Sequence, residues 1–228
     1  MKTKIIATIG PASLELETLK KMVEAGLSIG RINTKYGSAE QYKTITTNLR
    51  ELGAEIMFDV KGPDALEWLK QEKFDYLAVS FAETAEQIEE IRAMFSQNPV
   101  KIIAKIETAK GMDELDNLID ASDGVMVARG DLGKNTSLEE VPIFQKIIIR
   151  KCNEKNTMVI TATEMLLSMT SSLTPERAEV SDVANAVLDG TDYVMLSEET
   201  SIGQHPVEAV DEMRRIIEEI EKQKDILK

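Results

Sequence analysis

Lys105 and Glu107 stand two residues apart in KIIAKIE, so in a strand their side chains point to one face. An ammonium beside a carboxylate at a strand end can hold an anion next to a cation. The segment ARGDLG at 128–133 adds Asp131. With Glu107 it offers the hard oxygen donors that Mg²⁺ or Mn²⁺ prefers, water and substrate completing an octahedron. The same segment contains a glycine turn at Gly130 whose backbone N–H groups could receive a carboxylate or phosphate. A second reading fits the same residues equally well: Lys105, Glu107, Arg129 and Asp131 as a salt-bridge ring that only closes one end of the molecule.

The elements that must position these groups alternate from end to end. Short β-branched runs occur at 4–10, 27–33, 55–61, 76–81, 101–107, 124–129, 158–163 and 192–197, each followed by an amphipathic helical stretch. Eight parallel strands with eight following helices predict an α/β fold, a closed (β/α)8 TIM barrel, over residues 1–228 as a single domain; an open doubly wound sheet is the minority alternative. Helix signals agree: LETLKKMVEAG ends on Gly26, Thr84 caps TAEQIEEIRAMF, and PERAEVSDVANAVLDG has Pro175 in its first turn and Gly190 at its end. DALEWLKQEKF makes the shortest crossover, anchored by Trp68, and the last amphipathic segment should fray at its charged end.

In a barrel the working groups stand at the carboxyl ends of the strands. Behind the apolar runs come Arg31 and Asn33, Asp59 and Lys61, Ser80, Lys105 and Glu107, Arg129 and Asp131, Thr163 and Glu164, then Ser197, Glu198 and Glu199. So many polar side chains at one rim predict an anion site beside a cation site.

Composition excludes several classes. A net charge of −13, from 40 acidic and 27 basic residues, opposes a nucleic-acid surface or an anionic membrane as partner. No apolar run approaches the roughly 20 residues of a membrane span, and a cytoplasmic protein is expected. Cys152 is the only cysteine, so no disulfide or cysteine metal cluster forms within the chain, and a packed, inert thiol is expected. His205, the only histidine, permits neither a serine–histidine–aspartate triad nor a two-histidine metal site.

Six segments carry a resemblance: KTKIIATIGPAS at 2–13, IIAKIE at 102–107, SDGVMVARGDLG at 122–133, EEVPIFQKIIIRKCN at 139–153, VITATEML at 159–166 and AEVSDVANAVLDGTDYVMLSEET at 178–200. In this order they resemble the barrel domain of the pyruvate kinase family. The resemblance implies a small-molecule substrate, phosphoenolpyruvate or pyruvate or another 2-oxo acid, with ADP or ATP, and phosphoryl transfer through an enolpyruvate. It implies that Lys105 faces the phosphoryl group and enolate oxygen, that Glu107 and Asp131 bind Mg²⁺ (or Mn²⁺), and that Gly130, Asp131 and Thr163 cradle the substrate carboxylate. Arg31 is then the phosphate arginine, Thr163 and Ser197 lie on the route of the enolate proton, and Asn33 and Asp59 belong to a monovalent-cation site.

The chain also departs from that family. KGPDALEWLKQEKF runs straight to the fourth strand where that family inserts a lid domain, the usual C-terminal domain is expected to be absent, and Leu66 or a neighbour stands in place of a nucleotide arginine. RINTKYG stands for an RINFSHG-like segment, Val60 replaces a threonine, Glu164 a glutamine and Glu198 a glycine. Lys35 is expected either to substitute for K⁺ with its ammonium or to be an exposed loop lysine. The acidic changes could recruit a second metal, pair with Lys35 or Arg31, or point away. Three functions follow: a pyruvate kinase-like phosphotransferase, a nucleotide-independent metal-dependent 2-oxo-acid lyase, and a non-catalytic phosphoenolpyruvate-binding barrel. Exposed apolar helix faces would make it a homo-oligomer.

Overall fold

A computed structural model describes residues 2–60 and 62–223. Lys61, expected at the rim, and the charged end of the last helix beyond Gln223 fall outside them. The chain runs β1 (Lys4–Thr8), α1 (Leu16–Ala25), β2 (Leu27–Asn33), α2 (Ala39–Glu51), β3 (Glu55–Val60), α3 (Pro63–Leu69), β4 (Tyr76–Val79), α4 (Ala85–Met94) and β5 (Lys101–Ile106). It continues through α5 (Ala109–Asp113), α6 (Leu115–Ala121), β6 (Gly124–Ala128), α7 (Arg129–Asn135), α8 (Val141–Lys155), β7 (Met158–Ala162), α9 (Arg177–Asp189), β8 (Tyr193–Leu196), α10 (Glu198–Ser201) and α11 (Pro206–Gln223).

The strands close in sequence order, β8 pairing with β1, into one parallel TIM barrel. All eight expected strands form; β2 ends where its apolar run does, and the others end one or two residues earlier. The one-helix-per-strand expectation needs correction, because the connections after β5, β6 and β8 each carry an additional short helix. Pro175 also lies outside the helix it was expected to open, since Glu176 is the N-cap of α9.

Period-two alternation sorts the strand side chains into two cores. Outward residues such as Ile5, Phe58, Ile102, Val125 and Val159 pack under the helices. Inward residues, among them Ile6, Ile29, Met57, Ala78, Ile103, Met126, Ile160 and Met195, fill the barrel. The helices present matching stripes, as α11 does with Ala209, Val210, Met213, Ile216 and Ile217. Their ends follow local chemistry: the Ser38 and Thr84 hydroxyls accept N–H bonds from Gln41 and Gln87, and α9 stops at Gly190, whose φ of 100° suits glycine.

The β3 to β4 crossover is anchored as expected. The Trp68 ring lies 5.7 Å from both Tyr42 and Phe58, and Phe58 meets Phe74 edge-on at 5.2 Å. Cys152 is fully buried, and burial pushes its thiol up to about 12. No helix among the described residues is long and apolar enough to cross a membrane.

Candidate active site at the barrel mouth

On β2, β3 and β5, following the inward face toward the carboxyl end takes the interior from aliphatic to charged within one pleat. Ile29 is followed by Arg31, Met57 by Asp59, and Ile103 by Lys105 and Glu107. The register sets these groups side by side, with Thr8 opposite Arg31 and Asn33 opposite Asp59. Side chains of different strands thus meet at short range without any loop having to fold over them.

Asp59 is the hub. Its Oδ2 accepts Nε of Arg31 at 2.9 Å and pairs with Nη2 at 2.8 Å, while its Oδ1 pairs with Nζ of Lys105 at 3.0 Å. Lys105 also donates to Ser80 Oγ at 2.9 Å and pairs with Glu107 Oε1 at 3.0 Å. Its three donors are all engaged, so hydrogen bonding to a substrate requires one contact to be given up. Glu107 Oε2 accepts the Phe81 N–H at 2.6 Å, and Arg31 Nη1 donates to Thr8 Oγ1 at 2.7 Å.

The four charged side chains are buried, and their titration differs for a physical reason. Burial alone would raise the Asp59 carboxyl, yet the Arg31 and Lys105 charges and hydrogen bonds outweigh it and hold Asp59 below the usual carboxylate range. Burial dominates at Glu107, whose carboxyl lies above that range despite Lys105 and the Phe81 amide.

These groups open into a cavity of about 590 Å³ lined by Arg31, Asn33, Lys35, Asp59, Lys105, Glu107, Gly130, Asp131, Thr163, Ser197 and Glu198. Every residue singled out from sequence for substrate or Mg²⁺ therefore faces one space. Glu198 is exposed and borders it, while the exposed Glu164 does not.

Two expectations are corrected. The salt-bridge ring has other members: Arg129 turns away and pairs with Asp182 at 2.7 Å, Asp131 pairs with Lys134 at 3.2 Å, and Lys105 and Glu107 join Arg31 and Asp59. The stretch at Gly130 is the first turn of α7, not a glycine turn, and its early N–H groups lack intrahelical acceptors for that reason. Gly130 is needed for another cause, since a Cβ there would stand 2.7 Å from Thr163 Cγ2. Lys35 is exposed, as one of its two readings expects, and borders the cavity. Its ammonium lies 5.3 Å from the Tyr36 ring centroid, and its backbone N–H donates to Asn33 Oδ1.

Sequence reasoning overlooked Thr8, although its place two residues beyond Ile6 was a usable signal. It also missed Phe81, Thr163 and Glu164 as backbone features, with φ of 52°, 76° and 54°. Such left-handed conformations are uncommon outside glycine and collect at functional sites.

A divalent ion would find hard oxygens here in the Glu107 and Asp131 carboxylates, and one or two carboxylates are what Mg²⁺ ordinarily takes from a protein. Among the described residues no group of three or more His, Cys, Asp or Glu side chains gathers to hold an ion. Glu107 Oε1 is already paired with Lys105 and its Oε2 accepts the Phe81 N–H, so an ion here would share Glu107 with Lys105 and take the rest of its shell from substrate and water.

The chain matches the family model described as pyruvate kinase, barrel domain, over residues 1–65 and 60–210, two stretches that overlap from the end of β3 into the start of α3. The pyruvate kinase of Geobacillus stearothermophilus is 32% identical over 94% of this chain and 56% of its own length. That of Thermococcus litoralis is 32% identical over 99% of this chain and 71% of its own, and that of Dictyostelium discoideum 39% identical over 95% and 42%. The chain thus spans about half the length of several curated relatives it matches.

Proposed function

The chain belongs to the pyruvate kinase family through its barrel domain, and from that premise we propose that it binds phosphoenolpyruvate or pyruvate with a divalent cation, stabilises enolpyruvate, and exchanges a phosphoryl group with ADP. The observation that carries this reading is the buried Arg31–Asp59–Lys105–Glu107 network opening into the cavity that Asp131, Thr163 and Ser197 also line.

Arg31 and Lys105, both held by Asp59, offer positive charge to an anion entering from the mouth, Lys105 exchanging one of its present contacts for the substrate. The first amides of α7 at Gly130 and Asp131 receive the substrate carboxylate, with the Thr163 hydroxyl beside them. Glu107 and Asp131 hold Mg²⁺ or Mn²⁺. The bound ion would offset charge on the enolate and carboxylate oxygens. Thr163 and Ser197 pass the proton to the enolate carbon through water. Phosphoryl transfer suits such a site because it depends on positioning and charge more than on covalent help.

The β3 to α3 connection favours a second reading, enolate chemistry without a nucleotide. Leu66, which with its neighbours stands where the family resemblance implies a nucleotide arginine, is buried in the outer core. A 2-oxo-acid lyase would use the same Lys105, cation and carboxylate cradle.

Titration with oxalate, a mimic of enolpyruvate, with and without Mg²⁺, tests both. Metal-dependent binding together with ATP formation from phosphoenolpyruvate and ADP supports the phosphotransferase. Binding unaffected by ADP moves the assignment to the lyase, and no oxalate binding ends both.

A further inference from the structure

Arg129 was expected among the rim charges, yet it does not line the cavity. Its guanidinium is mostly buried and reaches around the end of β7 instead. Nε donates to the Ala162 carbonyl at 3.1 Å, and Nη2 to the Thr163 carbonyl at 2.6 Å and the Glu164 carbonyl at 3.5 Å. Nη1 donates to Asp182 on α9 at 2.7 Å and to Gln145 on α8 at 3.2 Å.

We infer that Arg129 is the positioning residue of Thr163: it touches no substrate, and holds the β7 turn in the one conformation that aims the Thr163 side chain into the cavity. The inference rests on the proposed role of Thr163 at the substrate. An ion pair with Asp182 alone would occupy one edge of the guanidinium. Here the remaining edge captures three successive carbonyls, a task for a planar fork that a lysine ammonium cannot reproduce.

The turn needs such a holder. Thr163 and Glu164 are consecutive non-glycine residues at positive φ, 76° and 54°, and a β-branched side chain rarely adopts that conformation unless its surroundings over-determine it. Neighbouring groups complete the restraint. Glu199 Oε1 accepts the Leu166 N–H at 3.0 Å from the β8 side, and Gly130, next to Arg129, leaves room for Thr163 Cγ2 where a Cβ would be 2.7 Å away. The pair Arg129–Gly130 thus supports the turn with one residue and clears space for it with the other.

The test is a double-mutant cycle on the full chain, reading Mg²⁺-dependent exchange of the pyruvate C3 protons in D2O by NMR, with amide hydrogen exchange and melting curves alongside. R129Q is expected to slow C3 exchange by up to about 100-fold, the cost that a misplacement near 1 Å can reach. R129Q/T163A should be no slower than T163A, because Thr163 contributes only when Arg129 places it. Amide exchange should accelerate at residues 163–166 while α8 and α9 stay protected. Wild-type C3 exchange in R129Q, or costs that multiply in the double variant, would overturn the inference, as would loss of protection spread across α8 and α9. If R129Q does not fold, R129K, which keeps the charge facing Asp182 and lacks the fork, carries the same test. Wild-type protein that neither binds oxalate nor exchanges pyruvate protons refutes the functional reading separately. Amide exchange then decides the inference, unchanged protection at 163–166 in R129Q overturning it.

Discussion

Asp59→Asn should be among the most damaging conservative changes in this chain. Arg31 and Lys105 bring two positive charges to the network and Asp59 and Glu107 two negative ones, with side-chain exposures of 9%, 9%, 3% and 1%. An amide at Asp59 leaves one buried charge without a counterion. Breaking a buried pair in this way costs about 3–5 kcal/mol, a large share of a total stability of roughly 5–15 kcal/mol. At about 2–4 °C per kcal/mol for a domain of this size the melting temperature should fall by roughly 6–20 °C. Urea denaturation with a matched melting curve measures it. Arg150→Ala, which breaks an exposed pair with Glu154 at 67% and 65% exposure, serves as the control and should cost no more than about 1 kcal/mol. The sign with pH is fixed as well. The Asp59 carboxyl titrates below its ordinary range, so its contribution is present above the unfolded-state value and lost as pH falls through the folded value. The gap between wild type and D59N should therefore close in acid. R31M/D59N restores charge balance and should cost less than the two single changes added together. A D59N loss within about 1 kcal/mol of the R150A control, or strict additivity in the double variant, refutes the argument.

Gly130→Ala should push Thr163 aside, costing about 1–3 kcal/mol in urea denaturation and a larger share of oxalate affinity. Cys152 should resist Ellman's reagent in the native protein and react only at the rate of global unfolding, because it is fully buried with its thiol pushed up to about 12. Glu199 is raised by burial in spite of the Leu166 and Ser197 amides, so its contribution is fully present below the usual carboxylate range and lost as pH rises through the folded value. Wild type should accordingly lose ground to E199Q as pH increases from about 4 toward neutrality, and a flat difference in melting temperature would contradict that.

Much of this molecule is written in local pattern. Runs such as KIIAKIE alternate two faces, and a strand that ends in charge after an aliphatic interior names both its pleat and its mouth, which is why Arg31, Asp59, Lys105, Glu107 and Asp131 were all legible as rim groups. Caps at Thr84 and Gly190 were equally local, since each depends on its own residue type. Partnership was not. That Asp59 binds both Arg31 and Lys105 depends on the stagger of β2, β3 and β5 around a closed barrel, and that Arg129 leaves the rim for Asp182 depends on where α9 packs. The left-handed turn at Thr163 and the Phe81 amide on Glu107 likewise arise from the path of backbone between elements. Sequence determined which in-strand groups arrive at the mouth, such as Arg31, Asp59 and Lys105, because strand parity is a local property; the tertiary structure decided which of them meet and which flanking groups leave, because register and helix packing join residues far apart in the chain.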